Sequence, residues 1–90
     1  MNLTVNKIDY VKLLFEFLCK TEGYGTEYQY AYMISVLFFN GDIRYANRLC
    51  EIVDLDKLDD FILDSDFNGF IKYVTEHYSR IRLNRKNGNK

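Results

Sequence analysis

The chain has 90 residues, with 12 Lys and Arg against 13 Asp and Glu for a net charge of -1, and 48% of it is apolar. A chain of this size buries roughly 60–65% of its unfolded surface, which makes one domain with one core and excludes two. No stretch reaches the ~18 uncharged apolar residues that cross a bilayer, and the start, MNLTVNKIDY, has no signal-peptide pattern, so a soluble protein of the cytoplasm is expected.

Eight Tyr and seven Phe make ring packing the expected source of stability. Pro is absent, and Asn, Lys, Ile, Tyr and Phe dominate, the bias of AT-rich codons and of an AT-rich bacterial, phage or plasmid source. Cys19 and Cys50 fall within apolar helical patterns, where a free thiol acts as a small hydrophobe in a reducing compartment.

The elements read as helices throughout. Asn6 caps a first helix with Ile8, Val11, Leu14, Phe15 and Leu18 at 3, 4 and 7 spacing, ending at Gly23. Thr26 and Gln29 have capping-box spacing at the head of a second helix, which carries Tyr30, Met33, Ile34, Leu37 and Phe38 inward and stops at Asn40-Gly41. Asp42 caps a third helix with Ile43, Ala46, Leu49, Cys50 and Val53 on one face, and Asp54 a fourth with Leu55, Leu58, Phe61 and Ile62. The last begins near Asp66 and presents Phe67, Phe70, Ile71, Val74, Tyr78 and Ile81, with its acid at the positive end and Arg80 and Arg82 at the negative end of the dipole. The fold class is therefore all-α, a small single-domain bundle of four to five short helices. Residues 1–83 form the helical domain, its core built by the first, second and last helices, and residues 84–90 a flexible basic tail.

Charge is sorted into blocks. Between Glu51 and Asp66 stand seven carboxylates against Lys57, and the residues after them carry six basic groups against Glu76. Such a block reads as the solvated outer face of short helices or as a surface for a basic partner, and as paired catalytic carboxylates it would need a pocket that nothing in the sequence supplies. Tyr24, Tyr28, Tyr30 and Tyr32 crowd the second helix and the turn before it. Tyr28 and Tyr32 lie opposite Tyr30, so they either widen the core face or offer an interface. Asp56, Asp59, Asp60 and Asp64 with Tyr24, Tyr28 and Tyr32 are the candidate partner-binding residues.

Two other chemistries have a pattern. The tight Asn40-Gly41-Asp42 turn joins two helices, so a helix-turn-helix-like nucleic-acid-binding regulator is the alternative, with Arg44, Arg48, Arg80 and Arg82 as its contacts and the following acidic block against it. The run Asp64-Ser65-Asp66-Phe67-Asn68-Gly69-Phe70-Ile71 resembles the opening of an EF-hand calcium loop, which implies Asp64, Asp66 and Asn68 as ligands. Thr75 stands where that family has its bidentate Glu. The competing reading makes Asp64 to Asp66 a turn and helix cap.

No phosphate loop, metal-spaced Cys and His, or nucleophile context is found, and His77 reads as a surface residue. The expectation is a non-enzymatic protein without cofactor that binds a host protein or complex and alters it, as phage- or plasmid-encoded modulators of polymerase or CRISPR-type defence do. Homodimerisation is compatible with it, and a membrane or nucleic-acid partner is less so.

Overall fold

The computed structural model describes residues 6–88, with side chains as far as Ile81. Five helices follow one another: α1 (Lys7–Thr21), α2 (Glu27–Phe38), α3 (Ile43–Ile52), α4 (Leu55–Leu63) and α5 (Phe67–Gly88), with no strand among the described residues. The all-α bundle of the sequence reading is the fold observed. Its last member is not short: α5 has 22 residues, and its backbone stays helical past Leu83, where the apolar pattern ends, as far as Gly88. Arg and Lys propagate a helix well once packing has nucleated it. Asn89 and Lys90, expected in the flexible tail, lie outside the described residues.

A polar side chain caps the start of every helix. Asn6 Oδ1 accepts from Ile8 N at 2.8 Å, Asp42 from Arg44 N at 3.1 Å, Asp54 from Asp56 N at 3.0 Å and Asp66 from Gly69 N at 2.9 Å. At α2 the capping box is complete, with Thr26 Oγ1 accepting from Gln29 N at 3.1 Å and Gln29 Oε1 from Thr26 N at 2.7 Å. Each such cap stabilises by about 1 kcal/mol. The helix ends use left-handed residues: Gly23 (φ 79°) closes α1 with its N–H on the Leu18 carbonyl, and Ser65 (φ 54°) closes α4. The Ser65 conformation is one that a side chain disfavours, and the bond from Asp66 N to the Phe61 carbonyl at 2.8 Å holds it.

All five helices build the core, which corrects the expectation that the first, second and last would suffice. The most extensive pairing is between α2 and α3; α1 packs on α2 and α4, and α5 on α3 and α4. Buried small residues, Ala31 and Ser35 on α2 with Ala46 and Cys50 on α3, allow the close approach of those two helices. Leu49, Val53, Leu58 and Ile62 bring α3 and α4 into the same interior as Val11, Phe15, Leu18, Ile34 and Val74.

Rings lock the ends of the bundle. Phe15 meets Phe67 edge-on at 5.2 Å and Phe70 at 5.4 Å, and Phe70 reaches Tyr30 at 6.3 Å. At the far end of α2, Phe38 stacks on Tyr78 at 4.4 Å, and Phe39 joins Tyr78 to Tyr45. Both cysteines are free: Cys19 Sγ donates to the Ile62 carbonyl at 3.2 Å, and burial pushes the Cys50 thiol up to about 11. That suits structural thiols rather than reactive ones.

Candidate functional site

The acidic block does not act as one surface. Asp54 is spent on the α4 cap, and its own N–H donates to Tyr73 Oη at 3.0 Å, tying the start of α4 to α5. Asp59 is half-buried and turned inward: its Oδ1 accepts from Tyr30 Oη at 2.5 Å and from Gly25 N at 3.1 Å. It therefore braces α4 against α2. The position follows from helix geometry, because Asp59 stands four residues after Leu55 and three before Ile62 and so shares the edge of their inward face. Burial first, then the bond to Asp59, raises the Tyr30 hydroxyl well above the ordinary tyrosine range.

What remains outward on α4 is Asp56, Lys57, Asp60 and Leu63, with Asp64 just beyond. Leu63 is 72% exposed, and helical spacing places it one turn from Asp60 and two from Asp56. Among the described residues no ion pair neutralises these carboxylates; Lys57, the block's own cation, lies over the Phe61 ring at 5.8 Å. Tyr24, 51% exposed, immediately precedes the Gly25 that bonds Asp59. The result is an exposed apolar side chain with Asp60 one turn away and Asp64 next to it in the chain, neither of them ion-paired among the described residues.

Tyr28 and Tyr32 belong elsewhere. They lie across α2 from Tyr30, and Tyr30 is the ring that faces Asp59, so they do not join the α4 surface. Tyr28 is exposed and Tyr32 half-buried, its hydroxyl sharing a hydrogen bond with Tyr10 Oη at 2.9 Å across the α1–α2 seam. That bond is the main reason the Tyr32 hydroxyl holds its proton more tightly than usual. Alongside them α1 exposes Leu13 (65%) and Phe17 (60%), and a hollow of about 150 Å³ between Leu14, Phe17, Gln29 and Met33 continues the seam. Neither Leu13 nor Phe17 figured in the sequence reading. The signal was a second apolar stripe on α1, Tyr10, Leu13 and Phe17 at 3 and 4 spacing, running beside the core stripe.

The basic candidates lie on two helices, α3 and α5. Arg44 forks onto Asp42, Nε to Oδ1 at 3.0 Å and Nη2 to Oδ2 at 2.8 Å, and lies over its neighbour Tyr45. That pairing holds the Asp42 carboxyl below its ordinary range and raises the guanidinium. Arg48 on α3 and Arg80 on α5 are exposed, and the Arg82 side chain lies outside the described ones. An arginine forked to its own helix cap is poorly placed to read a base edge.

The EF-hand-like run is divided between a helix end and a helix start. Asp64 closes α4, Ser65 turns the chain, Asp66 caps α5, and everything from Phe67 on is already helical. A calcium loop needs alternate oxygens wrapped about one point, and a helix from the fourth residue prevents the wrap. Among the described residues no three His, Cys, Asp or Glu side chains gather where they could hold a metal ion. His77 also departs from expectation: it is half-buried, its ring 4.5 Å from Tyr73 and its Nδ1 donating to the Tyr73 carbonyl at 3.0 Å. No described helix is long and apolar enough to cross a membrane.

Fold and surfaces together define a five-helix domain with two outward features, an acidic face on α4 and an uncharged aromatic seam between α1 and α2. No protein-family model matches the chain, and no curated protein or solved structure does so either.

Proposed function

We propose that this chain is a non-enzymatic, phage- or mobile-element-encoded modulator that binds a host protein complex, a polymerase or a defence system such as CRISPR, and inhibits or redirects it. The observation that carries the reading is Leu63, exposed amid Asp56, Asp60 and Asp64, none of them ion-paired among the described residues. An apolar anchor ringed by charge is the usual anatomy of a protein-binding site, with the anchor supplying affinity and the carboxylates steering a basic partner. A positively charged groove built for nucleic acid is such a partner, and the AT-rich composition supports the source. Tyr24 adds a second anchor, and Asp59 contributes by holding α4 in place.

The test is capture of the tagged protein from lysate of an AT-rich bacterial host, after nuclease treatment and at moderate salt, beside a D56N/D60N/D64N variant. One stoichiometric protein held by the wild type and lost by a variant of unchanged helicity supports the reading. Equal capture by both removes α4 from it, and recovery of nucleic acid favours the regulator.

A further inference from the structure

The α1–α2 seam makes no use of the acidic face, and its chemistry selects a different occupant. Its apolar members are Tyr10, Leu13 and Phe17 on α1 with Tyr28 and Tyr32 on α2, and α2 carries no charged residue after Glu27. Along the other edge of the α1 stripe runs a rim of exposed charges, Asp9, Lys12, Glu16 and Lys20, whose signs alternate. Exposed apolar patches of this kind on small domains mark interaction sites.

We propose that the seam is the interface of a two-fold homodimer in which α1 packs antiparallel against α1 of a second copy, centred at Leu13 and Leu14. The charge order is its own complement about that centre. The Lys12/Glu16 and Asp9/Lys20 pairs both have their midpoints within a residue of Leu14, so a dyad there brings each Lys opposite an acid of the other copy. Tyr10 and Phe17 are centred between Leu13 and Leu14, so each ring meets its counterpart from the second chain. A dyad in the plane of the interface keeps both charged rims on one side and sets α2 beside α2 on the other, with Tyr28 and Tyr32 of each copy along that edge. An isologous contact requires this self-complementarity, and a block of one sign would forbid it. A foreign partner has no need of it. The two α4 faces stay exposed, so the dimer is compatible with the proposed function without resting on it.

Sedimentation equilibrium of the full chain between about 1 and 100 μM tests the proposal, a range that spans ordinary reversible association. The expected result is a monomer–dimer equilibrium for the wild type, weakened at least a hundredfold by Leu13→Asp, which places two carboxylates at the dyad. Because Leu13 is exposed, far-ultraviolet circular dichroism of that variant stays native. The register has its own test in charge reversal. Lys12→Glu and Glu16→Lys each weaken self-association roughly tenfold, whereas a mixture of the two, or the double variant K12E/E16K, restores it. A wild type that is monomeric throughout overturns the proposal and leaves the seam to a foreign partner. Dimers indifferent to Leu13→Asp overturn it as well, and single reversals without rescue overturn the antiparallel register.

Discussion

The Tyr30 hydroxyl donates to Asp59 Oδ1 across 2.5 Å, joining α2 to α4 through residues 29 positions apart. Gly25 N donates to both partners, to Tyr30 Oη at 3.0 Å and to Asp59 Oδ1 at 3.1 Å, which closes a three-membered network at the turn before α2. A carboxylate drawn inward from an acidic block is thereby tied to a fully buried ring.

Removing either end leaves a partly buried group without its partner. Asp59→Ala is expected to lower stability by about 2–3 kcal/mol, and Tyr30→Phe by about 1–2 kcal/mol. The double variant costs less than their sum. Urea unfolding of the four proteins measures this coupling, and strict additivity would show that the two side chains do not act together.

The same bond sets a pH dependence. The folded protein holds the Tyr30 proton more tightly than the unfolded chain, whose tyrosines titrate near 10. The contribution is therefore complete below about pH 10 and is lost as pH rises toward the raised folded value. Denaturation midpoints are expected to hold from pH 8 to about 10 and then fall, with a shallower fall in Tyr30→Phe. Identical profiles for the two proteins would place the alkaline transition on other tyrosines.

Gly25 has no room for a side chain. A Cβ there would stand 2.8 Å from Tyr30 Cζ, in a ring that cannot retreat into the packed core. Gly25→Ala is expected to cost about 1–3 kcal/mol by overpacking and to shift the Tyr30 ring. The readout is the thermal midpoint, which falls by about 4–8 °C per kcal/mol in a domain of this size.

At the α4–α5 junction the structure makes Asp66 a cap. Asp66→Ala is expected to lower stability by about 1 kcal/mol. Adding calcium to the wild type, or removing divalent cations with a chelator, leaves the melting temperature unchanged. A rise with calcium that Asp66→Ala abolishes would restore the metal-binding reading of Asp64, Asp66 and Asn68.

Much of this fold is legible in the sequence because its signals are local. Asn6, Thr26, Asp42, Asp54 and Asp66 are caps read from residue type and spacing, and each is observed as one. The inward stripes are equally local, as Val11, Phe15 and Leu18 or Ala46, Leu49 and Cys50 show. The site was legible in composition and not in arrangement. Asp56, Asp59 and Asp60 look alike along the chain, and what separates Asp59 is a partner 29 residues away. Tyr28 and Tyr30 likewise differ only in which neighbour α2 turns them toward. Leu13 and Phe17 were obscured because α1 carries two apolar stripes, and periodicity alone does not say which is covered.

On the proposed function the outward carboxylates of α4 serve binding, while Asp59 serves the fold. Comparison of Asp59→Asn with D56N/D60N/D64N, each assayed for urea stability and for capture of a host protein, separates the two roles. A stability loss of about 1–2 kcal/mol is expected in Asp59→Asn, and in the triple variant unchanged or slightly raised stability with capture abolished. Full capture by the triple variant, or a loss of stability in it equal to that of Asp59→Asn, would overturn this division of roles.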